Sequence, residues 1–458
     1  MNRPNVVLLT IDTLRADRLG CYGNNGLLSP NIDQLANSGI RFEQAISGGS
    51  WTQAAFPVIF TSSYAAMYGG CLGRLSPERP SPIEALASHG YLTSGFTTNL
   101  HLSRATGFDR GFRHFVELFP SEIDPKLRRI RGGQRLLQNE LTHSMLRPLG
   151  IRMRPARLYS SAAEVTNRVC EWLNQADAPF LAWAHYMDLH WPYHMEEDLV
   201  NPKDIAQAWQ DLADMYGRAN FYGRSDRDKP ITSEQREHFI GLYEKSLKYL
   251  DNQIGRLLNY IQNSPHADNT IILLVADHGE EFLDHGRWGH WESNLFDEIL
   301  RVPLIMWIPN GPHGQVVRQQ VRLLDLMPTI LDLCGYSTDA LLGTSIAPLL
   351  SQNESKYDAK EVISEMRRDP WHRVAVRTES FKYIWDSKKP DQPELYNLRV
   401  DPTEKQNVAQ QFPQEVKQFQ SSVDTHRLRV SETEPATAVP RVKVDEDVAR
   451  RLRDLGYL

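Results

Sequence analysis

The segment VADHGEEFLDHGRWGHWE, residues 275 to 292, sets Asp277 and His278 side by side and brings His285 and His290 into the loop that follows. An adjacent carboxylate and imidazole can offer oxygen and nitrogen to one divalent cation. That ligand mix suits manganese, zinc or magnesium better than a soft metal. A second cluster, LAWAHYMDLHWPYH at 181 to 194, carries His185, His190 and His194 around the turn at Pro192. Histidine can donate hydrogen bonds to a tetrahedral anion and can protonate a leaving oxygen near neutral pH. His190, beside the turn, is the candidate for that work. His194 reads as a structural histidine, and His185 is open between the two readings.

The surrounding elements must carry these residues to one place. NVVLLTID, residues 5 to 12, is an unbroken apolar run ending in an acid, as expected of a strand buried on both faces. TIILLVADHG, residues 270 to 279, repeats the pattern. Ligands collect at the carboxyl ends of parallel strands, so Asp12 and Asp277 are expected to converge there although they lie far apart in the chain. SPNIDQLANSG reads as a capped helix stopped by glycine, and SPIEALASHGYLTSGFTTN as helix, glycine stop and strand. From Tyr243 to Ile261 apolar residues recur every three or four positions, after a TSEQ cap at 232 to 235, which predicts a long amphipathic helix. Helices alternating with apolar strands predict an α/β fold with a mostly parallel sheet sandwiched by helices.

Two stretches break the rhythm and read as insertions able to overhang a site. Residues 121 to 160 are rich in arginine, and residues 195 to 235 are polar. The first could meet an anionic substrate or an acidic membrane surface, or be a solvated, salt-bridged face. Beyond about residue 340, RVAVRTESFKYIWDS predicts two short strands around a turn, and the tail a charged helix ending in LGYL. The expected organisation is one large domain over residues 1 to 340 and a small α+β subdomain, with an antiparallel sheet, over 341 to 458.

Composition narrows the partners. The 458 residues are 41% hydrophobic and 24% charged, with a formal net charge of −6. This is an ordinary globular balance with no overall reason to meet nucleic acid. No stretch approaches the roughly 20 apolar residues of a membrane span, and no signal peptide is seen, so a cytoplasmic location is expected. Cys21, Cys71, Cys170 and Cys334 are scattered and read as small buried hydrophobes. Arg15 and Asp17, just past the first strand, read as a structural ion pair.

Taken in order, IDTLRADRLGCYG (11 to 23), GYLTSGFTTNLHLSRATGFDRGFRHF (90 to 115), HYMDLHWPY (185 to 193), ADHGEEFLDHGRWGH (276 to 290), LRVPLIMW (300 to 307), LLDLMPTILDLCGY (323 to 336) and AVRTESFKYIW (375 to 385) resemble the successive motifs of the sulfatase family, within the alkaline phosphatase superfamily. The resemblance implies an alkaline-phosphatase-like sheet and one divalent metal ion, manganese, zinc, magnesium or calcium. It implies Asp12, Asp277 and His278 as metal ligands, with His190 and His290 contacting the transferred group. Many sulfatases have lysine where His290 stands, and the second acid often found after the first is here Thr13.

The largest departure lies in SWTQAAFPVIFTSS. Sulfatases use a C/S-x-P-x-R motif whose first residue is oxidised to formylglycine. Laid on this chain the nucleophile position is Thr52, the proline Ala54 and the arginine Phe56. Threonine cannot become formylglycine, but it is a nucleophile in other branches of the superfamily, among them phosphonate hydrolase relatives and phosphoglycerol or phosphoethanolamine transferases. A hydroxyl bound to a divalent cation is acidified and needs no separate base, so Thr52 is expected to be both ligand and nucleophile. The expected activity is hydrolysis or transfer of a phosphate or sulfate ester of a small-molecule or headgroup-type anionic substrate, with phosphorus preferred. The alternatives are a sulfuric ester hydrolase that uses Thr52 or metal-bound water, and a non-catalytic binding protein in which Thr52 serves as a helix cap.

Overall fold

The computed structural model describes residues 3–119, 133–149, 153–155, 159–177, 179–195, 199–218, 231–290, 293–350, 357 and 361–434. Parts of both insertions and the expected C-terminal helix ending in LGYL lie outside these residues.

The strands are β1 (Asn5–Ile11), β2 (Ile40–Ile46), β3 (Leu92–Thr97), β4 (His114–Glu117), β5 (Phe180–Tyr186), β6 (Thr270–Ala276), β7 (Glu281–Phe282), β8 (Trp288–Gly289), β9 (Arg301–Trp307), β10 (Gln315–Arg322), β11 (Val362–Arg368), β12 (Trp371–Arg377), β13 (Phe381–Asp386) and β14 (Glu394–Asn397). Eight of them form one sheet in the order β10-β2-β9-β6-β1-β5-β3-β4. Only β9 runs against its neighbours in that sheet. At the centre, β1, β5 and β6 are buried at every position, as their unbroken apolar sequences require.

Register does the positioning. Ile11 pairs with Ala276 on β6 and with Tyr186 on β5. Asp12 and Asp277 are each the first residue past the end of their strand, so parallel pairing sets them level at the carboxyl edge. Thr10 pairs with His185, which brings that histidine to the same edge.

The predicted amphipathic helix spans Ser233–Gln262 and opens with a capping box between Thr232 and Gln235. Its apolar stripe packs on the sheet together with the helices Pro30–Asn37 and Ala162–Leu173. The predicted helix and strand around residues 82 to 97 are also present, with Ser81 accepting from the Glu84 amide.

β11 to β14 form an antiparallel meander. One face packs on Ile46, Leu295 and Leu300 of the main sheet's periphery, and the other holds the helix Pro413–Glu432 through Phe419 and Val423. A satellite cluster of Leu137, Leu199, Ile205, Trp209 and Leu212 unites the described parts of the two insertions. The expectation for the cysteines needs correction. Cys71 and Cys334 are buried, but Cys21 and Cys170 are half-buried, because their helical turns lie at the edge of the core. Among the described residues no helix is long and apolar enough to cross a membrane.

Candidate active site

At the carboxyl edge of β1 and β6, Asp12, Asp277 and His278 each bring one ligand atom within 4.8 Å of the others. All three side chains are fully buried. His278 Nδ1 lies 2.9 Å from the Gly279 carbonyl, an acceptor, so Nδ1 carries the hydrogen. Nε2 is thereby left with a bare lone pair, 3.8 Å from Asp12 Oδ1 and 3.4 Å from Asp277 Oδ2. None of these three atoms has a hydrogen-bond partner. Three electron-rich atoms facing one another in a dry interior are costly unless a cation lies among them. The residues present therefore fit a divalent ion.

Electrostatics agrees with that reading. Burial opposes charge on Asp12, but contact with the His185 imidazole outweighs it and holds the carboxyl below its ordinary range. Burial, and then the charge on Asp12, push Asp277 well above it. Two carboxylates so placed share one negative charge unless a cation allows both to ionise. Burial also lowers the three nearby histidines, His190, His278 and His290, the last two to about 4, so that all are neutral at neutral pH.

Thr52 stands at the start of the helix Thr52–Thr61, and Trp51, not Thr52, is the capping residue. The threonine hydroxyl makes no capping bond. It donates instead to Asp12 Oδ2 at 3.2 Å. The loop before it is held tightly: Ser47 Oγ donates to the Asp277 carbonyl at 2.5 Å and the Ser47 amide to the Leu300 carbonyl at 2.8 Å. A Cβ on Gly49 would come within 2.4 Å of the Ala54 Cβ, so only glycine allows the helix to start so close to this loop. Phe56, at the position where a motif arginine was sought, is fully buried, with its ring centroid 5.8 Å from Trp183 and 5.0 Å from His185.

His190 is buried, its Nδ1 bonded to the Trp191 carbonyl at 2.7 Å, and its ring centroid lies 4.9 Å from that of His290. The His290 ring lies 4.7 Å from that of His278. Asp12, Thr52, His190, Asp277, His278 and His290 thus form one constellation. His185 joins it, with Nε2 3.5 Å from Asp12 Oδ2 and Nδ1 2.9 Å from the Thr10 hydroxyl. His194 and His285 do not. His194 is bonded to Asp211 at 2.8 Å, and His285 to Glu298 at 2.9 Å while stacked on Phe296. Arg15 forms ion pairs with Asp17 and Asp284, as a structural role requires.

Sequence reasoning missed three contributors. Asn99, two residues past β3, donates to Asp12 Oδ2 at 3.3 Å. Glu280, fully buried and pushed up to about 8 by that burial, bonds His290 Nδ1 at 3.0 Å. Tyr193 donates to the other oxygen of Glu280 at 3.1 Å. The TTN and DHGEE stretches at strand ends carried the signal for Asn99 and Glu280, but side chains of these types are common in any loop. Thr13, where a second acid was sought, has φ of 56° and a buried hydroxyl with no partner. A β-branched residue rarely adopts this backbone, and such strain concentrates at working sites.

A second His and Glu group, Glu365, His372 and His426, has a different character. Glu365 Oε2 lies 2.9 Å from His372 Nε2 and 2.8 Å from His426 Nε2, hydrogen bonds that satisfy the atoms a metal would need. Glu365 Oε1 accepts from the Ala66 amide at 2.7 Å. This is a clamp between the C-terminal sheet and the segment that follows the Thr52 helix.

A profile described as Sulfatase matches residues 4–336, and one described as N-sulphoglucosamine sulphohydrolase, C-terminal, matches residues 286–431. An uncharacterized sulfatase, YidJ, of Escherichia coli is 26% identical over 441 residues, covering 89% of this chain and 83% of that one. An arylsulfatase of Clostridium perfringens is 23% identical over 448 residues, covering 89% and 90%. Among solved structures, a phosphonate monoester hydrolase of Agrobacterium radiobacter superposes with a TM-score of 0.71 at 22% identity, over 93% of this chain and 96% of that one.

Proposed function

This chain belongs to the sulfatase family of ester hydrolases, and on that premise we propose that it cleaves an anionic phosphate ester with a divalent metal ion and Thr52 as nucleophile. The observation that carries the proposal is the convergence of Asp12 Oδ1, Asp277 Oδ2 and His278 Nε2 with no hydrogen bond among them, beside a threonine hydroxyl aimed at Asp12. A divalent ion held by these four residues, whether manganese, zinc, magnesium or calcium, would acidify the hydroxyl and offset charge on the transferred group.

The chain's own groups supply the rest. Thr52 gives its proton toward Asp12 Oδ2 and forms a bond to phosphorus as the bond to the leaving oxygen breaks. His190 is neutral in the buried site, but an arriving dianion favours its protonated form, from which it can deliver a proton to the leaving oxygen. His290, oriented by Glu280, stands where it can hydrogen-bond the equatorial oxygens. Water, or an alcohol acceptor, then displaces Thr52 from phosphorus and restores the hydroxyl. Phosphorus is preferred because Thr52 and Phe56 replace the two residues on which formylglycine chemistry depends. Sulfuric ester hydrolysis is the second reading, supported by the arylsulfatase among the relatives.

The test is turnover of the nitrophenyl esters of phosphate, phosphate diester, phosphonate and sulfate after chelation and readdition of each metal, beside Thr52→Ala. Phosphoester turnover that requires metal and disappears in the variant is expected. Sulfate turnover that survives Thr52→Ala would overturn the threonine mechanism and leave water as the attacking group.

A further inference from the structure

The helix Glu140–Leu146 and the turn Arg147–Leu149 that extends it belong to the arginine-rich insertion. Their inner face is accounted for: His143 is buried and bonded to the Leu137 carbonyl, and Leu137 packs into the cluster around Trp209. The outer face is not. Leu141, Met145 and Leu149, at successive four-residue steps, are 70%, 71% and 70% exposed, and Leu136 of the preceding turn is 50% exposed. Single exposed apolar residues are ordinary, but four on one short hairpin, three of them in line, form an unpartnered stripe.

Charge says what covers it. Residues 121 to 160 hold nine arginines and lysines against three acids, in a chain whose net charge is −6. Arg135 and Arg147 of the same hairpin are both exposed. A protein partner buried on such a stripe would have to be acidic and apolar at once. An anionic lipid surface offers both together, with headgroups for the guanidinium groups and an acyl boundary for leucine and methionine.

We infer that the hairpin Gly133–Leu149 docks this protein onto an anionic lipid bilayer. The inference does not depend on the reaction proposed above. It would nonetheless bear on the site, since Trp209 of the helix packed beneath the stripe lies two residues from Asp211, the partner of His194, and His194 follows the His190 turn.

The test is co-sedimentation of the full chain with vesicles of phosphatidylcholine alone and of phosphatidylcholine with phosphatidylglycerol in equal parts. Two variants accompany it, Leu141→Gln/Met145→Gln/Leu149→Gln and Arg135→Glu/Arg147→Glu. The wild type is expected to pellet with the anionic vesicles only. Binding should fall about tenfold in either variant, and also near 1 M salt, where the screening length shrinks to about 3 Å. Both variants change exposed side chains, so unaltered thermal melting checks their folding. Equal binding to neutral vesicles, no binding to either, or undiminished binding by the triple glutamine variant overturns the inference. A dimer on gel filtration that the triple variant abolishes, without lipid binding, would assign the stripe to a second copy of the chain and overturn it equally.

Discussion

Replacing Asp277 by asparagine should change the stability of this protein in opposite directions with and without metal. The reason is the crowding of charge at the carboxyl edge of β1 and β6. The ligand atoms of Asp12 and Asp277 lie within 4.8 Å of each other in a fully buried setting. At an effective dielectric constant of about 20, keeping both groups ionised at that distance would cost about 3.5 kcal/mol, so without a cation the pair holds one proton, and holding it at neutral pH costs an energy of about the same size. Asparagine is uncharged without binding a proton and so removes this cost, yet it keeps the oxygen that accepts from the His278 amide at 2.9 Å. For 458 residues, an unfolding entropy of about 2.1 cal/mol/K per residue converts 3.5 kcal/mol to about 4 °C. In chelator, Asp277→Asn should therefore melt about 4 °C above the wild type by scanning calorimetry. With manganese or zinc at about a hundred times its dissociation constant, the wild type should gain about 2.7 kcal/mol, or about 3 °C, and the variant far less. A variant that melts lower than the wild type in chelator, or that gains the same increment from metal, would show that these carboxylates do not share a cation.

Thr52→Ala should reduce turnover by at least about a thousandfold with little change in melting temperature, whereas Thr52→Ser, which keeps a hydroxyl, should retain measurable activity in the same assay. Glu365 bears on acid stability. Burial opposes its charge, but His426 and His372 dominate and hold it well below the ordinary carboxylate range. A depressed carboxyl contributes stability above its unfolded value near 4.5, and that contribution is lost as pH falls below it. Glu365→Gln should thus cost about 3 kcal/mol at pH 7 by urea titration, and the difference from wild type should shrink steadily below pH 4.5. Phe56→Arg, which would restore the residue type of the sulfatase motif, should not restore sulfatase action. It should instead destabilise the chain by several kcal/mol, since it buries an unpaired charge among Phe60, Phe108 and Trp183.

The central sheet was legible because its strands are buried on both faces, which leaves an unmistakable record in NVVLLTID and TIILLVAD. The meeting of Asp12 with Asp277 followed from the rule that parallel strands end together, and the pairing of Ile11 with Ala276 realises it. The long helix was readable to within a residue because Thr232 and Gln235 form a cap that local sequence alone determines. What escaped is governed by contacts distant in sequence. His185 lies on a strand whose composition reads as core, and only its pairing opposite Thr10 brings it toward Asp12. Asn99 and Glu280 are ordinary loop residues until the fold closes over them. The ten-residue helix at Thr52 fixed its own cap by backbone geometry, freeing the threonine for Asp12, and no propensity argument separates those two uses of a hydroxyl.

The clasp on the Thr52 loop sets an order of events in time. Ser364 Oγ donates to the Ser47 carbonyl at 2.5 Å, the Glu365 amide to the Gly48 carbonyl at 2.9 Å, and Glu365 Oε1 accepts from the Ala66 amide. Ser47 and Ala66 are therefore fastened by residues that leave the ribosome some three hundred positions later. At about 5 to 20 residues per second, this loop waits on the order of half a minute for its clasp, long after β1 and β2 have been synthesised. A nascent chain arrested before β11 would carry Asp12, Thr52, Asp277 and His278 and still lack the strand that fastens the loop before Thr52. The newly made chain thus keeps the loop before Thr52 unfastened until β11 has been synthesised.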